Sequence, residues 1–361
     1  MFARPVSAMP REGSKSVLFV ISSEKQGAGD TRPGFEMDEL AQAWDLFRSN
    51  GVRTAFASPR GGAVAADKFN PDDPANARFL ADPDAIAGIA NSLPLAGVDA
   101  GAYDAVYIVG GKGAMFDLAV NPELARLVAQ SYQRGAVVAA ICHGSAALAN
   151  VRLADGRHLV AGRAVTGFTA EEDALFGKRW SKDYPFGIEA KLRERGARWV
   201  ESPLMMPGVA VDGRLITGQN PYSTGLVADA VLRALDIVPA ARTPRRDEAS
   251  MALAERAVAG DPAVASELVE NTARFHPELI AIVGHYQLQV AETPTTVRAA
   301  LAVMELAAPH VGAEELSVSR AEAMRRLGRI AEARRVLSTV LAEKPGMVEA
   351  LELQSRLQAS P

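Results

Sequence analysis

The chain holds one cysteine among its 361 residues, and the residues around it set out a chemistry. Cys142 lies in Gly135-Ala-Val-Val-Ala-Ala-Ile-Cys-His-Gly-Ser-Ala-Ala-Leu148, where an apolar run from Ala136 to Ile141 gives way to small residues from Gly144 onward. The run predicts a strand buried on both faces, and the small residues predict the start of a helix. Cys142 then falls in the turn between them. So tight a turn is strained and lifts its apical side chain off the sheet, as in a nucleophile elbow. The helix N-terminus behind it offers partial positive charge and free N–H groups. Both favour a thiolate, with a pKa below the roughly 8.5 of a free cysteine. A lone cysteine at a strand end is more often a small buried hydrophobe; the flanking His143 and Gly144 favour the nucleophile.

A thiolate at work needs a proton carrier and donors for a developing oxyanion. Gly110-Gly-Lys-Gly113 follows the strand candidate Ala105–Val109, and glycines there let backbone N–H groups of Gly110 and Gly111 approach a ligand. Glycine-rich turns after strands are as often structural. Of the five histidines, only His143 adjoins the cysteine. Neighbours on a turn do not readily pair in line, so His143 is expected to act from the side or through its backbone N–H. For the base, the first βα loop and helix bring Glu36, Asp38 and Glu39. A carboxylate facing a cysteine in a dry pocket has a raised pKa and can shuttle a proton. Taken singly, each of the three is better explained as part of an acidic first helix turn, and one of them can still be the exception.

These groups must be positioned by a scaffold, and the strand and helix candidates alternate. Val17–Ile21, Thr54–Ala57 and Ala105–Val109 read as buried strands and 38–49 as a helix, with a long surface loop over 67–80 and a helical stretch over 84–92. A further helix over 122–134 leads to the strand before Cys142. Beyond the cysteine, 158–165 reads as a hairpin or short strand pair around Gly162, Thr169 as a capping-box N-cap, and 185–195 as a helix. Strands at 208–212 and 215–218 and a last helix to about Leu235 complete the unit. The fold class is α/β, a doubly wound, mostly parallel sheet with ligands at the strand carboxyl ends, followed by an all-α domain. The boundaries are a flexible lead-in at 1–15, the α/β domain at 16–238, a linker at 239–248 and helices over 249–361. Leu327–Pro345 resembles the second half of a tetratricopeptide repeat, and Pro309 precedes Pro345 by nearly one such period. A plain helical bundle explains the tail equally well.

Composition narrows the partners. A net charge of −4 and a pI near 5.9 give no reason to expect nucleic acid or an anionic membrane. The apolar runs are strand-length, too short for a membrane span. The first residues lack an apolar core of the secretory type, and one cysteine excludes an internal disulfide, so a reducing cytoplasm is expected. No metal or other cofactor is expected.

Four stretches together resemble a known family. They are Ala139-Ala-Ile-Cys-His-Gly144, Gly110-Gly-Lys-Gly-Ala-Met-Phe-Asp-Leu118, Val165-Thr-Gly-Phe-Thr169 and Asp212-Gly-Arg-Leu-Ile-Thr-Gly-Gln-Asn-Pro221. They resemble the PfpI-like superfamily of the class I glutamine-amidotransferase-like, flavodoxin-like fold, and within it the stress-related glutathione-independent glyoxalases, also called D-lactate dehydratases. The resemblance covers residues 16–236. It implies Cys142 as nucleophile, His143 as its partner, Gly111 as a backbone oxyanion donor and, by its spacing from Gly34, Glu39 rather than Glu36 as the glutamate. Gly110, Lys112 and Gly144 complete the expected substrate-binding set. Lys112 stands where many members carry histidine, a change that points to an anionic substrate or an altered specificity.

Two functions of different class follow. The first is a cofactor-free lyase that turns methylglyoxal or a similar 2-oxoaldehyde into a 2-hydroxy acid, D-lactate from methylglyoxal, through a covalent Cys142 intermediate. The second is a stress holdase or redox sensor whose tail binds a protein partner. A small aldehyde substrate and a homodimer are expected with the first. A glutaminase is disfavoured, because no histidine follows Gly196 until His276.

Overall fold

The computed structural model describes residues 14–177 and 179–358, so the expected lead-in at 1–15 lies almost wholly outside the described residues. The chain divides into two compact units. One holds the chain up to Glu201 together with Pro207–Ala241; the other holds Ser202–Met206 and the chain from Arg242 onward.

The first unit is built on a seven-stranded sheet. Its early strands are β1 (Ser16–Val20), β2 (Arg53–Ser58), β3 (Leu93–Pro94), β4 (Ala105–Ile108) and β5 (Val137–Ile141). Two short strands outside the sheet, β6 (Ala164–Val165) and β7 (Arg198–Trp199), pair with each other in parallel. The sheet is completed by β8 (Val209–Asp212) and β9 (Leu215–Gly218), in the order β3-β2-β1-β4-β5-β9-β8. Only the β8–β9 hairpin is antiparallel. Every residue of β1, β4 and β5 is buried, which is why each reads as a solid apolar run.

Helices cover the sheet: α1 (Met37–Ser49), α2 (Pro74–Ala81), α3 (Pro83–Ala90), α4 (Ala114–Asp117), α5 (Pro122–Gln133), α6 (Ala170–Phe176), α7 (Ile188–Glu194) and α8 (Thr224–Ala234). Phe47 of α1 meets Tyr107 of β4 edge-on at 5.8 Å between centroids, and Phe19 of β1 meets the same ring at 5.3 Å. These rings lock α1 over the middle of the sheet.

Three expectations are corrected. Residues 67–80 are not all loop, because Pro74 sits at the first position of α2 with the Asp73 side chain capping it; a proline there starts a helix. The hairpin expected over 158–165 is absent: His158 bridges Arg152, and β6 pairs with β7 instead. The segment after Cys142 is a 3₁₀ helix, Cys142–Asn150.

The second unit is helical: α9 (Arg246–Val258), α10 (Val264–Glu270), α11 (Pro277–Val290), α12 (Pro294–Ala307), α13 (Glu314–Arg326), α14 (Ile330–Glu343) and α15 (Val348–Gln358). A Cβ on Gly284 of α11 would come within 2.6 Å of the Met304 side chain of α12, so this pair crosses closely. Leu204, Met205 and Met206 are buried as part of this unit, and Gln287 of α11 donates to the Leu204 carbonyl at 3.1 Å. No helix among the described residues is long and apolar enough to cross a membrane.

Candidate active site

Strand order assembles the site. In the sheet β1, β4 and β5 are consecutive neighbours, so the loops leaving their carboxyl ends meet at one edge. The loop after β1 leads to Glu39, the loop after β4 is Gly110–Gly113, and Cys142 follows β5.

Cys142 takes φ of +56°, a left-handed backbone rarely adopted by a residue with a side chain. This is the strained turn the sequence predicts. The thiol is 3% exposed and the Glu39 carboxyl beside it fully buried. Glu39 Oε2 accepts a hydrogen bond from the Gly110 N–H at 2.8 Å, and its carboxyl lies where it interacts with the Cys142 thiol. Its other oxygen, Oε1, is buried without a hydrogen-bond partner among the described residues. A Cβ at position 110 would stand 2.5 Å from Glu39 Oε2 and 2.8 Å from the Cys142 Cβ, so only glycine lets these groups converge. Gly111, at φ +88°, passes so close to the backbone of Phe35 and Glu36 that no side chain fits, and its N–H has no acceptor among the described residues. Gly144 packs against the carbonyl of Ile108, which seats the elbow on β4.

The expected thiolate is corrected. Burial pushes the Cys142 thiol well above its ordinary value, and the negative charge of Glu39 adds to the push; the His143 backbone N–H pulls the other way. Burial likewise raises Glu39 well above the carboxylate range, with the charge of Glu36 adding to it. A helix N-terminus is worth about 1 kcal/mol at an exposed end, too little to offset full desolvation of a thiolate. Both groups are thereby biased toward their neutral forms. Glu36 is raised to about 7, again chiefly by burial, while the Lys112 ammonium opposes the rise. The Lys112 charge therefore bears on Glu36.

His143 does more than lend its backbone. Its Nδ1 lies 3.4 Å from Cys142 Sγ and its Nε2 3.0 Å from Asp173 Oδ1. The Phe168 ring lies over it at 4.4 Å between centroids. The alignment thiol–imidazole–carboxylate holds the ring in one orientation. Asp173 escaped sequence reasoning as a site residue, although its position four residues past the Thr169 cap was visible. The capping box is real: the Thr169 side chain accepts from the Glu172 N–H, and Glu172 Oε2 accepts from the Thr169 N–H at 3.0 Å. Glu172 also takes the Asn220 side-chain amide at 2.8 Å, tying α6 to the loop after β9. With α6 pinned at both points, Asp173 faces the imidazole.

A family model described as DJ-1/PfpI family matches residues 31–234. The chain is 35% identical over 138 residues to the glutathione-independent glyoxalase hsp3101 of Schizosaccharomyces pombe, a match that covers 36% of this chain and 55% of that protein. It thus spans little more than half the length of that relative. Glyoxalase 3 of Candida albicans is 26% identical over 220 residues, covering 57% of this chain and 91% of its own length. Among solved structures, the Rapid Encystment Protein 24 KDa of Francisella tularensis superposes with a TM-score of 0.57 at 31% identity, covering 61% of this chain and 99% of that one.

Proposed function

The chain belongs to the DJ-1/PfpI family, and from that premise we propose that it is a glutathione-independent glyoxalase, converting methylglyoxal or a similar 2-oxoaldehyde to a 2-hydroxy acid, D-lactate from methylglyoxal. The observation that carries the reading is the buried contact of Glu39, the Gly110 N–H and the Cys142 thiol. Relatives in that family bear the name glyoxalase.

Each group has one task. The Cys142 sulfur adds to the aldehyde carbon, and the thiol proton finishes on the carbonyl oxygen, giving a hemithioacetal. The Gly111 N–H steadies that oxygen while it carries charge. The Glu39 carboxylate takes the proton from the carbon bearing sulfur and returns it to the adjacent carbon, while the hydroxyl proton on the first carbon passes to the oxygen of the second, giving a 2-hydroxy thioester. Water then cleaves the thioester, releasing the 2-hydroxy acid and restoring the thiol. His143, held by Asp173, accepts and returns protons at sulfur. Carbon, oxygen and hydrogen balance with water as the only co-reactant.

The redox-sensing alternative needs a resting thiolate, whereas burial pushes the ionisation of Cys142 up. The deciding experiment is loss of methylglyoxal and appearance of lactate in metal-free, glutathione-free buffer, with chiral analysis of the product. The wild type should turn over and Cys142→Ala should not. No turnover above that control would remove the enzyme reading.

A further inference from the structure

One aromatic residue at this site has no part in the scheme above. Tyr184 lies between α6 and α7, and Pro185 behind it holds its backbone extended, at φ −68° and ψ 143°. Its ring meets the His143 ring edge-on at 5.7 Å between centroids and the Phe116 ring edge-on at 5.6 Å. Packed by both, the ring has little rotational freedom. Its hydroxyl is buried and has no hydrogen-bond partner among the described residues. A buried O–H left without an acceptor is costly, and a ligand oxygen would remove that cost. Burial, with the charge of Asp173 adding to it, holds the phenol firmly in the protonated, donating form.

The chemistry has a vacancy of matching character. When Glu39 removes the proton from the carbon bearing sulfur, negative charge develops on the oxygen of the adjacent carbon, one bond further from Cys142 than the oxygen that Gly111 serves. That second oxygen needs a neutral donor near sulfur. We propose, building on the glyoxalase reading, that Tyr184 is a substrate-contacting residue whose hydroxyl donates a hydrogen bond to the C2 oxygen of a 2-oxoaldehyde bound at Cys142. The residue then selects for aldehydes that carry an oxygen on the second carbon.

Tyr184→Phe tests this, because it keeps the ring against His143 and Phe116 and removes only the hydroxyl. Three rates are compared in wild type and variant: methylglyoxal turnover, alkylation of Cys142 by iodoacetamide, and protection of Cys142 from that alkylation by methylglyoxal or by propanal, which lacks the C2 oxygen. The variant should lose roughly 10²- to 10³-fold in kcat/KM, in the range of a lost oxyanion donor. Its alkylation rate and its protection by propanal should stay within about twofold. Turnover within twofold of wild type overturns the proposal, and so does a parallel fall in alkylation and propanal protection, which would mark a packing role. If the wild type shows protection by methylglyoxal that depends on Tyr184 but no turnover, the glyoxalase reading fails and the contact stands. If the wild type shows neither, both fail.

Discussion

Glu39 and Glu36 lie three residues apart and face different tasks. Glu39 is sealed against the thiol, while Glu36 is partly exposed near Lys112 and Asp67. Glu39→Gln is therefore expected to lower turnover at least about 10²-fold, the usual worth of a positioned acid–base, while Cys142 stays open to alkylation. Steady-state kinetics beside an alkylation time course separates the two effects. The acting form of Glu39 is the carboxylate, and its ionisation is raised, so kcat/KM should climb with pH beyond the ordinary carboxylate range. Glu36 gives a stability test with a definite sign. A carboxyl raised from 4.5 to about 7 binds more protons folded than unfolded in that window, so it makes the protein less stable as pH rises through it. Glu36→Gln should leave turnover nearly intact. It should stabilise by up to about 3 kcal/mol near pH 8 and by almost nothing near pH 4, as read from urea midpoints at each pH.

At the level of elements, the site is a product of strand order. β1, β4 and β5 lie side by side, and each was legible because a strand buried on both faces is a solid apolar run. The turn at Cys142 and the glycines after β4 were legible for the same reason, since both abut such runs. What escaped depended on direction and depth. No periodicity tells that Asp173 of α6 looks at an imidazole, and Pro74 reads as loop punctuation until Asp73 is seen capping α2. The thiol's ionisation was misjudged because desolvation is a property of the packed state. Gly110→Ala should show how tightly these elements are closed. Its Cβ would meet the Ile141 carbonyl at 2.7 Å as well as Glu39, contacts that backbone cannot readily relieve. We expect a loss of roughly 1–3 kcal/mol by chemical denaturation and a large loss of turnover. A variant as stable and active as wild type would mean that the loop after β4 is looser than described.

For the molecule as a whole, the two units invite separate study. The boundaries expected from sequence, 16–238 and 249–361, make a single cut in the polar stretch between them attractive. The structure alters the forecast for such a cut. Leu204, Met205 and Met206 are 3%, 8% and 8% exposed as part of the helical unit, so a chain ending at Ala241 bares three large apolar side chains. It should aggregate more readily than the same chain carrying Leu204→Ser and Met206→Ser, as light scattering would register. Whether the shortened protein keeps its strand signal in circular dichroism tests the autonomy of the α/β unit. The homodimer expected beside the enzyme reading has its own check in sedimentation of the intact protein.

The excursion Ser202–Met206 has a consequence for how the chain can be taken apart. The polypeptide passes from one unit to the other after Glu201, returns before Pro207, and leaves again after Ala241. The units are thus stitched by three passages of the chain between them. A protease that nicks the chain between Arg242 and Arg246 severs one stitch and leaves the five-residue loop seated among the helices. The two fragments should travel as one particle in gel filtration and come apart only when a denaturant melts the helical unit.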